Sequence, residues 1–137
     1  MSKEYKVLIS DKISQRAIET LQKNNIAYDY MPDCGTSNTL IDVIEPYTGL
    51  IIRSASKVSK EVINKGKNLQ AIGRAGIGVD NIDIKAASSK GIVVMNTPHG
   101  NAITTAEHTL AMIFAASRQI SAADQSTQKG KWEKSRF

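Results

Sequence analysis

The residues of this chain best suited to chemistry are glycines set around an arginine. The run Gly73-Arg74-Ala75-Gly76-Ile77-Gly78-Val79-Asp80-Asn81 places three glycines within six residues. Glycine lets the backbone turn sharply and come close to a ligand. Successive N–H groups turned inward then make an anion-binding concavity, and Arg74 adds a permanent positive charge beside it. The order is Gly-x-x-Gly-x-Gly, not the Gly-x-Gly-x-x-Gly that cradles a dinucleotide pyrophosphate. The loop therefore reads as a site for a small anion, a carboxylate or a phosphate. A tight strand-to-helix turn without a ligand is the alternative that the glycines alone leave open.

The elements that must position this loop follow from the apolar pattern. Val7-Leu8-Ile9-Ser10, Ile26 to Met31, Leu50-Ile51-Ile52, Leu69-Gln70-Ala71-Ile72 and Ile92-Val93-Val94-Met95 predict five short strands. Between them lie helical patterns with capping residues. Ser14 caps a segment carrying Ala17, Ile18 and Leu21, which Asn24-Asn25 ends. Asn38 caps one carrying Leu40, Ile41, Ile44 and Tyr47, closed by Gly49. Ser59 opens a third with Val62 and Ile63, and Gly66 sits near its end. Asp80 or Asn81 caps a fourth, with Asp83 in its first turn, and Gly91 stops it. This alternation predicts an α/β fold, a parallel sheet with helices on both faces. Ligands of such sheets sit beyond the carboxyl ends of the strands. Arg53-Ser54, the glycine loop and Asn96-Thr97 all fall there, which points to one shared site.

From Ala102 to Ile120 the pattern changes. Ile103, Ala106, Leu110, Ile113, Phe114, Ser117 and Ile120 share one helical stripe, while Ala111, Met112, Ala115 and Ala116 make the opposite side apolar. A helix apolar nearly all round is expected to be buried on two sides. The remaining segment, Ser121 to Phe137, is polar and basic, so the architecture is expected to continue past it.

Composition narrows the classes. A chain of 137 residues, 41% hydrophobic and 23% charged, suits one globular core. The net charge of +5 is spread over scattered lysines, and only Lys129, Lys131, Lys134 and Arg136 cluster, beside Trp132 and Phe137. No stacking platform or nucleic-acid motif goes with them, so a nucleic-acid partner is not expected. The single cysteine, Cys34, cannot form an internal disulfide. The charged start carries no secretory pattern, and the apolar run Leu110 to Ala116 is too short to span a bilayer. The expectation is a cytoplasmic protein with no membrane partner and no metal. A phospho-acceptor receiver domain needs acids where this chain has Arg53-Ser54, and Ser10-Asp11-Lys12 is not a flavin phosphate loop.

The stretch from Asn68 to Asn101 resembles the NAD-dependent D-2-hydroxyacid dehydrogenases. The carriers are Gly73-Arg74-Ala75-Gly76 through Asp80-Asn81, Gly91-Ile92-Val93-Val94-Met95-Asn96-Thr97-Pro98 and Gly100-Asn101. Ala106-Glu107-His108, Arg118-Gln119-Ile120 and Gly130-Lys131-Trp132-Glu133 bring the match closest to the branch that oxidises 3-phospho-D-glycerate to 3-phosphooxypyruvate, the first step of serine biosynthesis. Members acting on hydroxypyruvate, glyoxylate or D-lactate are the nearest alternative, and a non-catalytic dimerisation module is a further one.

The resemblance implies a flavodoxin-like substrate domain over residues 1–98. Residues 99–137 would be a crossover helix and the start of an NAD-binding domain. It implies NAD as cofactor, with the cofactor core and the acid–base residues outside these residues, so that the chain alone is expected to be inactive. Neither His99 nor His108 matches the family's catalytic histidine. By resemblance, N–H groups at Gly76 and Ile77, next to Ala75, would hold the substrate carboxylate. Arg53, Ser54, Arg74 and Asn101 would face the substrate, and Ile77 would make a weak cofactor contact. Lys134 and Arg136 match a basic segment that would reach a neighbouring subunit's site. Family members are dimers or tetramers, so a homodimer through Ala102 to Ile120 is expected. For Arg53, pairing with Glu61 is the plain alternative.

Overall fold

The structure, a computed structural model, describes residues 5–137. It divides into two compact units, Met1–Gly100 and Asn101–Phe137.

The first unit contains strands β1 (Lys6–Ile9), β2 (Ala27–Tyr30), β3 (Gly49–Ile52), β4 (Ala71–Arg74) and β5 (Val93–Asn96). Helices α1 (Gln15–Lys23), α2 (Ser37–Val43), α3 (Lys60–Lys65) and α4 (Ile84–Ser89) alternate with them. All strand pairs are parallel, in the order β2-β1-β3-β4-β5. This is the flavodoxin-like order, whose ligand crevice opens between β1 and β3. The chain steps one way from β1 to β2 and the other way from β2 through β5. Right-handed crossovers therefore put α1 on one face and α2, α3 and α4 on the other.

The core lies on the α2–α4 face. Leu8, Leu50, Ile52 and Ile72 from the strands meet Leu40, Ile44, Val62, Ile63 and Ala87 from the helices, all fully or almost fully buried. Burying such side chains contributes about 1.5–3 kcal/mol each. The opposite face is barer at its edge: Val93 and Met95 on β5 are more than half exposed. Cover on both faces, expected of every strand, stops short of that edge strand.

Several boundaries differ from the sequence pattern, each for a local reason. Strand β4 runs through Gly73 and Arg74, which pair with Ile51 and Ile52; the glycine loop begins only at Ala75. Helix α2 is capped by Thr36, not Asn38, and ends before Tyr47. The Tyr47 hydroxyl is drawn off to Asp29 at 2.5 Å, and Lys6 lies over its ring at 5.3 Å. The cap of α4 is Asp83, whose carboxylate accepts from the Ala86 N–H at 2.9 Å; neither Asp80 nor Asn81 caps it. Ser59 and Gly66 do bound α3, and Gly91 follows α4 with φ +70°.

The second unit holds α5 (Ala102–Ser117), α6 (Ile120–Gln128) and a short 3-10 turn, Lys134–Arg136. The expected single helix from Ala102 to Ile120 is broken at Gln119, which takes the left-handed φ of 49°. The polar stretch after it is helical as well. Among the described residues no helix is long and apolar enough to cross a membrane.

Candidate functional site

The parallel register brings the strand ends level. Ile52 pairs with Arg74, and Arg74 with Asn96, so the loops after β1, β3, β4 and β5 share one edge of the sheet.

At its centre stands the loop Ala75 to Gly78. It is tied to both neighbours: the Ala75 N–H donates to Ile52 O at 2.9 Å, and the Thr97 N–H donates to Gly76 O at 3.0 Å. Asn96 Nδ2 donates to Ile77 O at 2.7 Å. These bonds, two of them to the carbonyls of Gly76 and Ile77 from the β5 side, hold the loop in place. The Gly76 N–H closes back onto Arg74 O at 2.9 Å. The Ile77 N–H has no assigned protein acceptor among the described residues, and the Ile77 side chain is 42% exposed.

Arg74, at the last position of β4, folds its guanidinium over this loop. A Cβ on Gly76 would meet Arg74 Nη1 at 2.4 Å, so the glycine is what admits the arginine. Arg74 Nε donates to Asn81 Oδ1 at 3.2 Å, which leaves the Nη edge of the fork for a ligand. A guanidinium edge against a backbone N–H is a donor set matched to a carboxylate or phosphate.

Arg53 and Ser54 follow β3 and are exposed. The Arg53 guanidinium donates to Lys12 O at 3.3 Å, and among the described residues no ion pair joins it to Glu61. With Asp11, Lys12, Pro32, Asp33 and Ala55 these two residues line a cleft of about 290 Å³. The cleft opens at the β1/β3 ends, where the topology places a ligand crevice.

Two residues that the sequence reading passed over hold this edge together. The Asp11 carboxylate, 3% exposed, accepts from the N–H groups of Arg53 and of Ser56, the latter at 3.1 Å. Ser10 and Ser56 hydroxyls meet at 2.7 Å beneath it. The Asn81 amide donates to the carbonyls of Arg53 and Ser56, both at 2.7 Å. An acid after β1 and an amide after the glycine run are the signals that the sequence offers for them.

The remaining candidates, Asn101, Lys134 and Arg136, belong to the second unit. Asn101 sits at the N-cap of α5 without a side-chain cap bond. Lys134 and Arg136 are exposed on the 3-10 turn, and Arg136 Nη1 pairs with Glu133 at 3.1 Å. A hydrogen bond from Ser126 holds the Glu133 carboxyl below its ordinary range, and the Arg136 charge adds to this. His108 is exposed on α5, and His99 is exposed beyond β5.

Comparison with known proteins covers this edge along with most of the chain. The model of the D-isomer specific 2-hydroxyacid dehydrogenase catalytic domain matches residues 7–131. D-3-phosphoglycerate dehydrogenase of Archaeoglobus fulgidus is 47% identical over 96% of this chain, and the Homo sapiens enzyme of that name is 45% identical over the same share. The chain spans only about a quarter (25%) of the length of each. The solved NAD+-bound 3-phosphoglycerate dehydrogenase of Entamoeba histolytica is 31% identical with a TM-score of 0.71, covering 82% of this chain and 39% of that one. A match running from β1 to the segment after α6, over a sheet of the same kind, leaves one conclusion: the chain belongs to the D-isomer specific 2-hydroxyacid dehydrogenase family.

Proposed function

We propose that this chain forms the substrate-binding part of an NAD-dependent oxidoreductase that converts 3-phospho-D-glycerate to 3-phosphooxypyruvate. The observation that carries the reading is the Arg74 fork lying against Gly76 beside the free Ile77 N–H. That donor set takes the substrate carboxylate. Arg53, at the mouth of the neighbouring cleft, takes the distal phosphate, with Ser54 beside it. Similarity to D-3-phosphoglycerate dehydrogenases over 96% of the chain supports this substrate over other 2-hydroxy acids.

For NAD these residues offer little. The Ala75–Gly78 loop does not run directly into a helix, since α4 starts only at Ile84, so it lacks the helix N-terminus that a pyrophosphate needs. The exposed Ile77 side chain supplies at most one apolar contact. The chain's own part is therefore to bind and orient the acid, not to turn it over alone. Its free, buried Cys34 suits a reducing, cytoplasmic setting.

A second role rests on α5. Leu110, Ile113 and Phe114 are each more than half exposed, and a surface of that kind pairs with its own copy most simply about a twofold axis. We assign homodimerisation to the Ala102–Ile120 region, with Lys134 and Arg136 available to the partner's site.

Calorimetric titration of 3-phospho-D-glycerate, D-glycerate and D-lactate tests the substrate assignment. Binding of 3-phospho-D-glycerate about tenfold tighter than D-glycerate is expected, the worth of one charge-assisted contact. Equal affinities would move the reading to an unphosphorylated hydroxy acid.

A further inference from the structure

We infer that Asn81 is a positioning residue: its side-chain amide locks Arg74 and the Arg53–Ser56 loop into one rigid anion-binding edge. The inference rests on the reading of that edge as the substrate site. Asn81 touches neither proposed ligand position; it acts through what it holds.

An amide has two donors and one acceptor oxygen, and here all of them are turned inward. Nδ2 donates to Arg53 O and Ser56 O, both at 2.7 Å, and Oδ1 accepts from Arg74 Nε at 3.2 Å. Only this orientation fits, because the flipped amide would face two carbonyls with an oxygen and a guanidinium with a donor. The Asn81 backbone is pinned too, its carbonyl accepting from the Val58 N–H at 2.8 Å.

The Arg53–Ser56 loop is held from both sides. Asp11 takes the N–H groups of Arg53 and Ser56, while Asn81 takes the carbonyls of the same two residues. Both the N–H and the carbonyl of Arg53 and of Ser56 are thus taken by side chains, which restrains the loop at two points. Arg74 has long side-chain freedom that a ligand would otherwise have to freeze. Fixing Nε to Asn81 removes that freedom beforehand and aims the Nη edge over Gly76. Preorganisation of this sort raises affinity without adding a contact to the ligand.

Nitrogen-15 NMR of the chain, without ligand and then with 3-phospho-D-glycerate, tests this. In the native chain the Arg74 Nε–Hε signal should be resolved and slow to exchange with water, unlike that of exposed Arg16. Exchange as fast as at Arg16 would overturn the proposal without any variant. Asn81→Ala should release the Arg74 signal, shift the amides of residues 53–57 and weaken binding about tenfold. Amides of Leu8 and Ile72 should stay in place. Asn81→Asp separates the two holds: it keeps the acceptor for Arg74 but loses both donors. It should preserve the Arg74 signal while shifting residues 53–57. In Arg74→Ala, adding Asn81→Ala should cost less than it does alone, whereas a general loss of structure would be additive. An Arg74 signal and an affinity both unmoved in Asn81→Ala would overturn the assignment. If the native chain binds no 3-phospho-D-glycerate, the substrate reading fails, and the ligand-free Arg74 signal still decides for or against the lock.

Discussion

Gly76 matters for what it leaves empty. A Cβ there would stand 2.4 Å from Arg74 Nη1, and the three atoms nearest to it all belong to the Arg74 guanidinium. The atom it would strike is the tip of a flexible side chain, so the fold has no need to yield. Gly76→Ala should therefore keep the thermal midpoint within about 2 °C, the shift of a few tenths of a kcal/mol. It should nevertheless weaken 3-phospho-D-glycerate binding about tenfold, as the displaced fork loses one charge-assisted contact. A melting curve and a titration on the same sample check both halves. At this scale the sequence was readable where chemistry is written in residue type: glycine beside arginine announced an anion site. It was silent on the role of Asp11 and Asn81 in holding the Arg53–Ser56 loop, because the groups they take there are backbone groups that only the parallel register brings near. Asn81 lies 28 residues from Arg53 and 25 from Ser56, and no local spacing records that.

Strand and helix identity came through the apolar pattern, and the boundaries that shifted did so under tertiary pull. Tyr47 illustrates the point. Helical spacing puts it on α2, but its hydroxyl reaches Asp29 on β2, while Lys6 on β1 pairs with the same carboxylate at 2.6 Å. Burial, followed by the hydrogen bond to Asp29, pushes the Tyr47 phenol up to about 12. The folded value thus lies above the ordinary 10.0, so the stabilisation is complete below that pH. It is lost as pH rises from there through about 12. Phenolate absorbance should show one tyrosine ionising in that upper range together with unfolding. Tyr47→Phe should remove that late step, and a Tyr47→Phe chain that still shows it would refute the attachment. Arg118-Gln119 shows the same limit on α5. The apolar stripe runs straight through to Ile120, yet Gln119 takes φ 49° and starts a new helix. Periodicity marks which face is apolar, not where the axis turns.

For the whole molecule, the legible part was the alternation that yields a five-stranded parallel sheet, and the less legible part was what covers each apolar surface. Helix α5 was expected to be buried on two sides, yet Ile103 is 76% and Phe114 62% exposed. Such a helix should self-associate. The chain should sediment as a dimer at tens of micromolar, a range in which about −6 to −7 kcal/mol of association is measurable. Ile113→Asp should shift it to monomer, and a monomer from the unsubstituted chain would oppose the pairing. The substrate itself should dock at the strand-end edge of the first unit, and amide mapping reads that edge residue by residue. Adding 3-phospho-D-glycerate to nitrogen-15-labelled chain at millimolar concentration, where binding of about −4 kcal/mol registers, should shift the amides of Arg53, Ser54 and residues 74–78, Ile77 foremost. Saturating shifts confined to some other surface, or none at that edge, would show that the substrate does not bind there.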